Sequence, residues 1–257
     1  MKLQALIFDV DGTLVDSEEL HRRAFNQAFL EFELGWYWGP ERYAELLAVS
    51  GGGERILRHI DRLPLAAAEK ARLRQLVPSI HRAKTRIYGE LLASGKALPR
   101  PGVARLLGEA RRAGLKIGLV ASSASENVQP LVSAFLDADA RAAIGAVVCA
   151  DQVARRKPAP DLYELALATL RVPAAACVAF EDSANGLAAA KAAGLYTVVT
   201  PSRWTILQDF AGADLLLPTL GDPEAPLGPE AARAIGAEWL DLVQLERRFG
   251  ALRAVGT

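Results

Sequence analysis

LQALIFDVDGTLVDSEEL, residues 3–20, is the stretch that decides the fold of this chain. It begins with a short apolar run that has the length and composition of a buried strand. The run ends on Asp9 and Asp11, two carboxylates placed two residues apart. In an open α/β sheet the carboxyl end of a strand lines the ligand crevice, so we expect a binding site here. Considered alone, the Asp-x-Asp-Gly sequence also fits a plain turn or cap.

Short β-type runs recur along the rest of the chain, and helical patterns lie between most of them. The β-type runs are at residues 115–121, 146–150, 176–180, 195–199 and 214–217. The helical patterns are at residues 102–114, 126–136, 160–170 and 185–194. This alternation predicts an α/β fold, in which a Rossmann-like parallel sheet is covered by helices on both faces.

One long stretch, from about Ser17 to Pro99, is helical in pattern almost throughout. About 80 residues without a strand are too many for an ordinary crossover between strands. We therefore predict a helical cap domain, residues 17–98, inserted after the first strand into a core domain of residues 1–16 and 99–220. Pro99, Pro101 and Gly102 mark the exit as a stiff hinge. Residues 221–257 read as a helical tail, which either packs on the core or mediates association.

The composition limits the class of protein and its partners. With 51% hydrophobic residues among 257, the chain can bury a sizeable core. Its 30 basic and 30 acidic side chains balance, which argues against nucleic acid or an anionic membrane surface as a partner. Cys149 and Cys177 are too few for a disulfide scaffold, so we expect buried thiols. The amino terminus fits neither a signal peptide nor a membrane span, and we expect a monomeric cytoplasmic protein.

Three more polar groups follow predicted strands at their carboxyl ends. Ser122 and Ser123 stand at the start of a helix, and their hydroxyls and backbone amides could hold phosphate. Serine pairs also cap helices without binding a ligand. Lys157 precedes a proline-fixed helix start, where its ammonium could balance anionic groups. Glu181 and Asp182 repeat the pattern of paired acids at a strand end. Four such features, each after a different strand, favour a single catalytic site.

The paired carboxylates indicate two kinds of chemistry. Carboxylates packed closely repel one another, and Mg²⁺, a hard cation that prefers oxygen ligands, is the simplest way to keep one ionised. A carboxylate can also attack phosphorus to form an aspartyl-phosphate, while a neighbouring acid protonates the leaving oxygen and later deprotonates water. The sequence therefore predicts Mg²⁺-dependent phosphoryl transfer.

The set DVDGT, VASS, KPAPD and EDSANG resembles the four motifs of the haloacid-dehalogenase superfamily, over residues 3–217. The helical insert resembles the C1-type cap of that superfamily. The resemblance implies that Asp9 is the nucleophile and a Mg²⁺ ligand. It implies that Asp11 is the general acid and base and offers its backbone carbonyl to the metal. Dehalogenase members lack an acid at the position of Asp11, so phosphoryl transfer is favoured over carbon–halogen cleavage.

The resemblance also assigns the later motifs. It implies that Lys157 and either Ser122 or Ser123 bind the transferring phosphoryl group. It implies further that Asp182, aided by Glu181, holds Mg²⁺. The second motif reads ASSAS, where the family has a run rich in threonine.

Three segments of the predicted cap carry candidate substrate ligands. In the first, two polar residues share one helix face. The second is a glycine turn whose amides, with an arginine, could meet a second anion. The third groups three side chains that can become cationic in one helical turn. A capping acid, a glycine turn without a ligand and a solvated helix face are the alternatives. The candidates are Glu18 and His21; Gly52, Gly53, Glu54 and Arg55; and His81, Arg82 and Lys84.

The segments DSEELHRRAFN, GWYWGPERY, the glycine turn before Glu-Arg, and HRAK together resemble the CbbY family of sugar-bisphosphate phosphatases. The resemblance implies a phosphorylated sugar substrate, notably xylulose-1,5-bisphosphate, an inhibitor of Rubisco. Arg55, Arg82 or Lys84 would hold its second phosphate. Glu18, His21 and Asn127 would bind sugar hydroxyls. Gly53 stands where the family has a lysine, for which Arg55 or Lys84 could compensate.

Two other functions fit the same residues. A β-phosphoglucomutase-type mutase would share the fold, the cap and the aspartyl-phosphate, and would pass the phosphoryl group to a sugar hydroxyl instead of water. A non-catalytic phosphosugar sensor would keep the fold for binding alone. The intact acids Asp9 and Asp11 argue against a sensor, whereas motif spacing does not separate phosphatase from mutase.

Overall fold

A computed structural model describes residues 2–95 and 98–254. In this part of the chain, six strands form one parallel sheet in the order β3-β2-β1-β4-β5-β6. The strands are β1 (Ala5–Asp9), β2 (Lys116–Ala121), β3 (Ile144–Cys149), β4 (Cys177–Glu181), β5 (Tyr196–Val199) and β6 (Leu215–Leu216). The predicted α/β fold is confirmed. β1 extends one residue beyond the predicted apolar run because Asp9 still pairs with Val120 of β2.

The order of the strands places a crevice beside β1. From β1 the chain moves outward to β2 and β3, then returns to β4 on the other side of β1 and continues to β5 and β6. The direction therefore reverses between β1 and β4. Ligands of open parallel sheets bind at the carboxyl ends of the strands at such a point. All five residues of β1 and of β4 are buried, as expected for strands covered on both faces.

Helices cover the two faces of the sheet and bury separate apolar clusters. One cluster includes Ile7, Val120 and Ala179, and the other includes Leu6 and Phe8. Neighbouring residues of β1 fall into different clusters because successive side chains on a strand point to opposite faces. The core helices are α5 (Val103–Arg112), α6 (Ser125–Phe135), α7 (Ala138–Ala142), α8 (Asp161–Leu170) and α9 (Ala184–Ala192). The sequence pattern did not predict the short helix α7, whose amino end is capped by Asp137.

In the described part of the chain, four helices lie between β1 and the return of the chain at Pro99: α1 (Glu18–Glu31), α2 (Pro40–Leu46), α3 (Gly52–Arg62) and α4 (Ala67–Ala93). Buried aromatic side chains, among them Phe25, Trp38 and Tyr43, pack together between them. The two connections to the core run side by side, since Val15 pairs with Pro99. We propose residues 17–98 as a cap domain on a core of 1–16 and 99–220. Residues 96 and 97 lie outside the described residues.

The tail packs on the core, which answers the question that its sequence left open. It contains α10 (Pro229–Ile235) and α11 (Leu242–Ala254). Leu240 and Leu245 are fully buried in the main apolar cluster. The guanidinium of Arg105 donates to the carbonyl oxygens of Gly221 and Leu240 and joins the tail to α5. Residues 255–257 of the predicted tail lie outside the described residues.

Two features bear on the expectations from composition. Both cysteines are buried, Cys149 at the end of β3 and Cys177 at the start of β4. Within residues 2–95 and 98–254, none of the helices has the length and apolar character needed to cross a bilayer.

Candidate active site

A cavity of about 360 Å³ lies between the carboxyl ends of the strands and the cap helices. The core contributes polar groups that follow β1, β2, β3 and β4, and the cap contributes groups from α1, α3 and α4. The structure therefore brings together most of the residues that the sequence singled out. Those lining the cavity are Asp9, Asp11, Glu18, His21, Gly52, Gly53, Glu54, Arg55, His81, Lys84, Ser122, Ser123, Asn127, Lys157 and Asp182.

Asp9 is the last residue of β1 and is buried at the floor of the cavity. Its Oδ1 lies 2.6 Å from Nζ of Lys157. Burial raises the pKa of Asp9 well above its usual range, and the carboxylates of Glu181 and Asp182 raise it further, although Lys157 lowers it. The ammonium therefore offsets part of the cost of a carboxylate facing the cavity.

Lys157 bridges two buried carboxylates. Its Nζ is 2.5 Å from Oε1 of Glu181, which also accepts a hydrogen bond from the hydroxyl of Tyr163 at 2.6 Å. Burial alone would lower the pKa of Lys157, but Asp9 and Glu181 raise it above its usual value. The side chain is thus held as a cation beside Asp9, where it can also attract a phosphoryl group.

Asp9, Glu181 and Asp182 form a cluster of buried carboxylates. One oxygen of each lies within 4.8 Å of the others. Burial, followed by the charge of Glu181, raises the pKa of Asp182 to about 7. Oε2 of Glu181 is buried and has no hydrogen-bond partner among the described residues. Three carboxylates against one ammonium, with a free buried oxygen, fit a hard divalent cation such as Mg²⁺.

Gly12 sets the turn after Asp11 against this cluster. Its φ is +83°, in the left-handed region that favours glycine. A Cβ at this position would overlap the carboxylate of Asp182. The glycine therefore allows the loop after β1 and the loop after β4 to approach each other closely.

Asp11 also lines the cavity, and its carboxylate accepts three hydrogen bonds. Oδ1 accepts from Ser17 Oγ at 2.5 Å and lies 3.1 Å from His21 Nε2, while Oδ2 accepts from Ser123 Oγ at 2.8 Å. Burial opposes ionisation, but His21 and the two hydroxyls hold the pKa of Asp11 well below its usual range. Without substrate, Asp11 is an ionised acceptor fixed in position by core and cap residues.

His21 connects Asp11 to Lys84, a buried lysine of the cap. Nζ of Lys84 lies 2.7 Å from Nδ1 of His21. Burial and the charge of Lys84 lower the pKa of His21, and burial lowers that of Lys84 to about 8. A neutral His21 that donates from Nε2 to Asp11 and accepts at Nδ1 from Lys84 satisfies both contacts. The ring also stacks on Tyr88, with 4.0 Å between ring centroids.

Ser122 and Ser123, which the sequence could not separate, have different surroundings. The hydroxyl of Ser123 donates to Asp11. Ser122 lines the cavity one residue closer to β2. The geometry therefore favours Ser122 as the hydroxyl that is available to an incoming phosphoryl group.

Glu18 and Asn127 face the same cavity from the cap and the core. Oε2 of Glu18 accepts a hydrogen bond from the Tyr43 hydroxyl at 2.5 Å, which fixes the carboxylate. Asn127, on α6, is buried, and its Oδ1 has no partner among the described side chains and backbone. A buried amide oxygen without a partner is costly, so a ligand hydroxyl that donates to it would be favoured.

Arg55 follows the glycine turn and lines the cavity from the cap. Its Nε donates to the Val49 carbonyl at 3.0 Å, and Nη1 lies 3.4 Å from the Tyr43 hydroxyl. The ring of His81 packs so closely on Gly52 that an added Cβ would lie 2.5 Å from Nε2. Burial and then Lys84 lower the pKa of His81 to about 4, so the ring is neutral at neutral pH.

Arg82 requires a correction, because the structure does not bring it to the cavity. Its side chain is exposed and donates to Ser79 Oγ at 2.8 Å. His81 and Lys84 are three residues apart on α4 and therefore share one face, whereas Arg82 is turned away from it.

Two contacts join the cap and the core at the mouth of the cavity. Nη1 of Arg156 lies 2.5 Å from Oε2 of Glu54. Nδ2 of Asn185 donates to the Ala48 carbonyl at 3.0 Å. Sequence reasoning missed these contacts, as it missed Tyr43, because their partners are distant in the chain. It also missed Ser17, although its partner Asp11 is only six residues away. Only the position of Ser17, just after the first motif, gave a signal.

The chain is similar to known proteins in sequence and in overall fold. A family model described as haloacid dehalogenase-like hydrolase matches residues 3–194. A CbbY protein of Cupriavidus necator is 42% identical over 243 residues, or 95% of this chain and 95% of that protein. A crystal structure of a CbbY variant from Rhodobacter sphaeroides in complex with xylulose-1,5-bisphosphate has a TM-score of 0.76 and 43% identity, and covers 84% of this chain and 94% of that chain. A β-phosphoglucomutase of Bacillus subtilis is 29% identical over 232 residues, which cover 86% of this chain and 91% of that protein.

Proposed function

This chain belongs to the haloacid dehalogenase-like hydrolases and, within them, to the CbbY family, and we propose from this that it hydrolyses xylulose-1,5-bisphosphate to xylulose 5-phosphate. The coarser activity, that of a phosphatase acting on phosphoric monoesters, follows from the family. The proposed reaction would remove an inhibitor of Rubisco. Mg²⁺ is the proposed cofactor.

One observation carries the proposal. Asp9, Lys157, Asp182 and Asp11 meet around one cavity, which holds both a candidate cation site that includes Asp9 and a second, hydrogen-bonded acid. A phosphate above Asp9 would touch Lys157 and Ser122 and leave its ester oxygen near Asp11. The cap residues above would then contact the sugar and its second phosphate.

The proposed mechanism uses two proton transfers at Asp11. An oxygen of Asp9 attacks phosphorus, the bond from phosphorus to the ester oxygen breaks, and that oxygen takes a proton from Asp11. Water then attacks the aspartyl-phosphate and gives a proton to Asp11, which releases inorganic phosphate and restores Asp9. Lys157 holds the phosphoryl oxygens through both steps. The proposed Mg²⁺ ligands are Asp9, Asp182, Glu181 and the backbone carbonyl of Asp11. The bound ion would supply positive charge beside the phosphoryl group.

Removal of divalent cations is expected to abolish turnover. The cluster of Asp9, Glu181 and Asp182 holds more negative charge than Lys157 offsets, so bound Mg²⁺ should also stabilise the fold. At a Mg²⁺ concentration 100 times its Kd, the gain in unfolding free energy is about 2.7 kcal/mol. Phosphate release and melting temperature should be measured in EDTA and in excess Mg²⁺.

The matched control is Asp182→Asn, which should lose most of the Mg²⁺-dependent rise in melting temperature. Full activity of the wild-type protein after chelation would contradict the metal assignment. An equal rise in melting temperature in Asp182→Asn would place the cation elsewhere.

The substrate assignment is tested by comparing two reactions of the purified protein. The first is release of inorganic phosphate from xylulose-1,5-bisphosphate. The second is isomerisation of β-glucose 1-phosphate, the reaction expected of a mutase. We expect one phosphate released per bisphosphate and a kcat/KM far above that for isomerisation. Isomerisation as the faster reaction would identify a mutase, and binding of the bisphosphate without either reaction would identify a sensor.

Arg55→Ala is expected to weaken the binding of a sugar bisphosphate more than the binding of a sugar monophosphate. Arg55 lies on α3 and lines the cavity from the cap, whereas Asp9 lies at the end of β1 in the core. A hydrogen bond to a charged group is worth about 1.5–3 kcal/mol, so KM for the bisphosphate should rise roughly 10- to 100-fold. KM for a pentulose monophosphate should change less than about fivefold, since a loss of under ~1 kcal/mol corresponds to less than about fivefold.

Arg82→Ala is the matched control, because Arg82 carries the same charge but lies outside the cavity. It should leave both KM values unchanged. Equal effects of Arg55→Ala on the two substrates would reject Arg55 as the ligand of the second phosphate.

A further inference from the structure

Arg100 is the first arginine after the chain returns from the cap to the core. Its backbone N–H donates to the Leu14 carbonyl at 2.9 Å, directly beside the bridge between Val15 and Pro99. It is therefore part of the connection between the two parts of the molecule. Nothing in the four sequence motifs pointed to this residue.

The guanidinium of Arg100 binds backbone carbonyl oxygens that belong to different loops. Nη1 lies 2.5 Å from the carbonyl oxygens of both Gly12 and Thr200. Nη2 donates to the carbonyls of Pro201 at 2.9 Å and Pro218 at 3.1 Å. No carboxylate forms an ion pair with it in the described part of the chain. The planar fork of an arginine is suited to joining several fixed acceptors in this way.

Two of the loops that Arg100 joins contact the side chain of Asp182. In the first, the turn at Gly12 packs against the Asp182 carboxylate. In the second, Thr205 Oγ1 donates to Asp182 Oδ2 at 3.2 Å, and the backbone N–H of Ser202 donates to Thr205 Oγ1 at 2.9 Å. Asp182 thus contacts two loops that Arg100 joins to each other.

The loop of residues 200–205 also contacts the cap. The ring of Trp204 meets the edge of Tyr43, with 5.4 Å between centroids. The hydroxyl of Tyr43 in turn donates to Glu18 in the cavity. The same loop therefore touches the carboxylate of the candidate cation site and the cap wall above it.

We propose that Arg100 is a positioning residue for the divalent cation: by clamping the Gly12 turn to the loop of residues 200–205, it holds Asp182 in the orientation that the cation requires. This inference rests on the proposed use of Mg²⁺. Groups that orient metal ligands from outside the coordination sphere typically contribute 10- to 100-fold to metal affinity. The role requires the fork of the guanidinium and not only its charge.

The test is calorimetric titration of the full-length protein with Mg²⁺ alone, in the wild type and in Arg100→Lys. Lysine keeps the charge but cannot join four carbonyls in one plane. We expect Kd for Mg²⁺ to rise roughly 10- to 100-fold. The Mg²⁺ concentration for half-maximal activity should rise by the same factor. At saturating Mg²⁺, kcat and the KM for the sugar bisphosphate should return to within about threefold of wild type.

Two further variants make the result specific. Arg105→Lys is the matched control, since Arg105 also donates to backbone carbonyls but joins only the tail and α5. It should leave Kd for Mg²⁺ unchanged. Thr205→Val removes the hydroxyl that donates to Asp182. It should lower the affinity for Mg²⁺ as Arg100→Lys does. This variant keeps the proposal testable if Arg100→Lys folds poorly.

Different outcomes separate this inference from the proposed function. Wild-type Kd values in both Arg100→Lys and Thr205→Val would overturn the role of Arg100 while leaving the phosphatase intact. A folded wild-type protein that binds no Mg²⁺ would remove the proposed cofactor and this role together. Equal loss of Mg²⁺ affinity in Arg105→Lys would show a general effect on stability and would also reject the proposal.

Discussion

Asp9→Asn is expected to abolish phosphate release while leaving the protein folded. The amide cannot attack phosphorus, and loss of a covalent nucleophile lowers kcat by about 10⁶-fold in a well-studied hydrolase. Burial and two neighbouring carboxylates raise the pKa of Asp9, so its charge is costly in the folded state at neutral pH. The neutral amide removes that cost along with the ion pair to Lys157. The melting temperature without Mg²⁺ should therefore stay at or above that of the wild type.

The control for this variant is Asp151→Asn. Asp151 is another carboxylate at the edge of the same cavity, but it accepts hydrogen bonds from Ser125 and lies apart from the ion pair of Asp9 and Lys157. Its variant should keep kcat within severalfold of wild type. Phosphate release above about 1% of the wild-type rate in Asp9→Asn would overturn the mechanism, because such a loss is smaller than that expected for a nucleophile.

The sequence predicted the core of this molecule well because parallel strands are buried on both faces and read as continuous apolar runs. The strand ends then placed Asp9, Ser122, Lys157 and Asp182 at one edge without any knowledge of side-chain geometry. The insertion of a helical segment was predictable for a simple reason, since no strand pattern interrupts it. The α/β fold and the location of the site at the sheet edge both follow from local patterns.

Contacts between distant residues could not be predicted in the same way. The sequence placed His81, Arg82 and Lys84 in one turn, but only the rotation of α4 against the core decides that Arg82 faces solvent. The link from Arg100 to Gly12 spans 88 residues and uses backbone carbonyls, which every residue has. No residue type marks such an acceptor in the sequence. Contacts that position the site residues from outside the cavity are therefore visible only in the folded structure.

Asp11→Asn is expected to lower kcat for the sugar bisphosphate by about 10²- to 10⁴-fold, the usual contribution of a general acid and base. Asparagine can keep the contacts of Asp11, because its oxygen accepts from Ser17 and His21 and its amide can donate to the Ser123 hydroxyl. The variant should therefore fold normally and keep Asp9 competent as a nucleophile. The defect should lie in the proton transfers alone.

A substrate with a good leaving group separates these two roles. Nitrophenolate leaves without a proton, so Asp11→Asn should still release about one equivalent of p-nitrophenol per site from p-nitrophenyl phosphate, followed by slow hydrolysis of the aspartyl-phosphate. Rapid-mixing absorbance measurements would record this burst. Its absence would mean that the Asp11 carboxylate is needed to position Asp9 or the phosphate, in which case the acid and base assignment fails.

The pH dependence gives a second, independent readout for Asp11. In the free protein the pKa of Asp11 is held well below its usual range, so the carboxylate is ionised at neutral pH. A bound phosphate dianion beside it disfavours that charge and raises the pKa, which allows Asp11 to carry the proton that the first step needs. The rate of that step with the sugar bisphosphate should therefore fall as pH rises through the pKa of Asp11 in the complex. Asp11→Asn should lack this basic limb, and a wild-type limb that persists in the variant would assign the proton to another group.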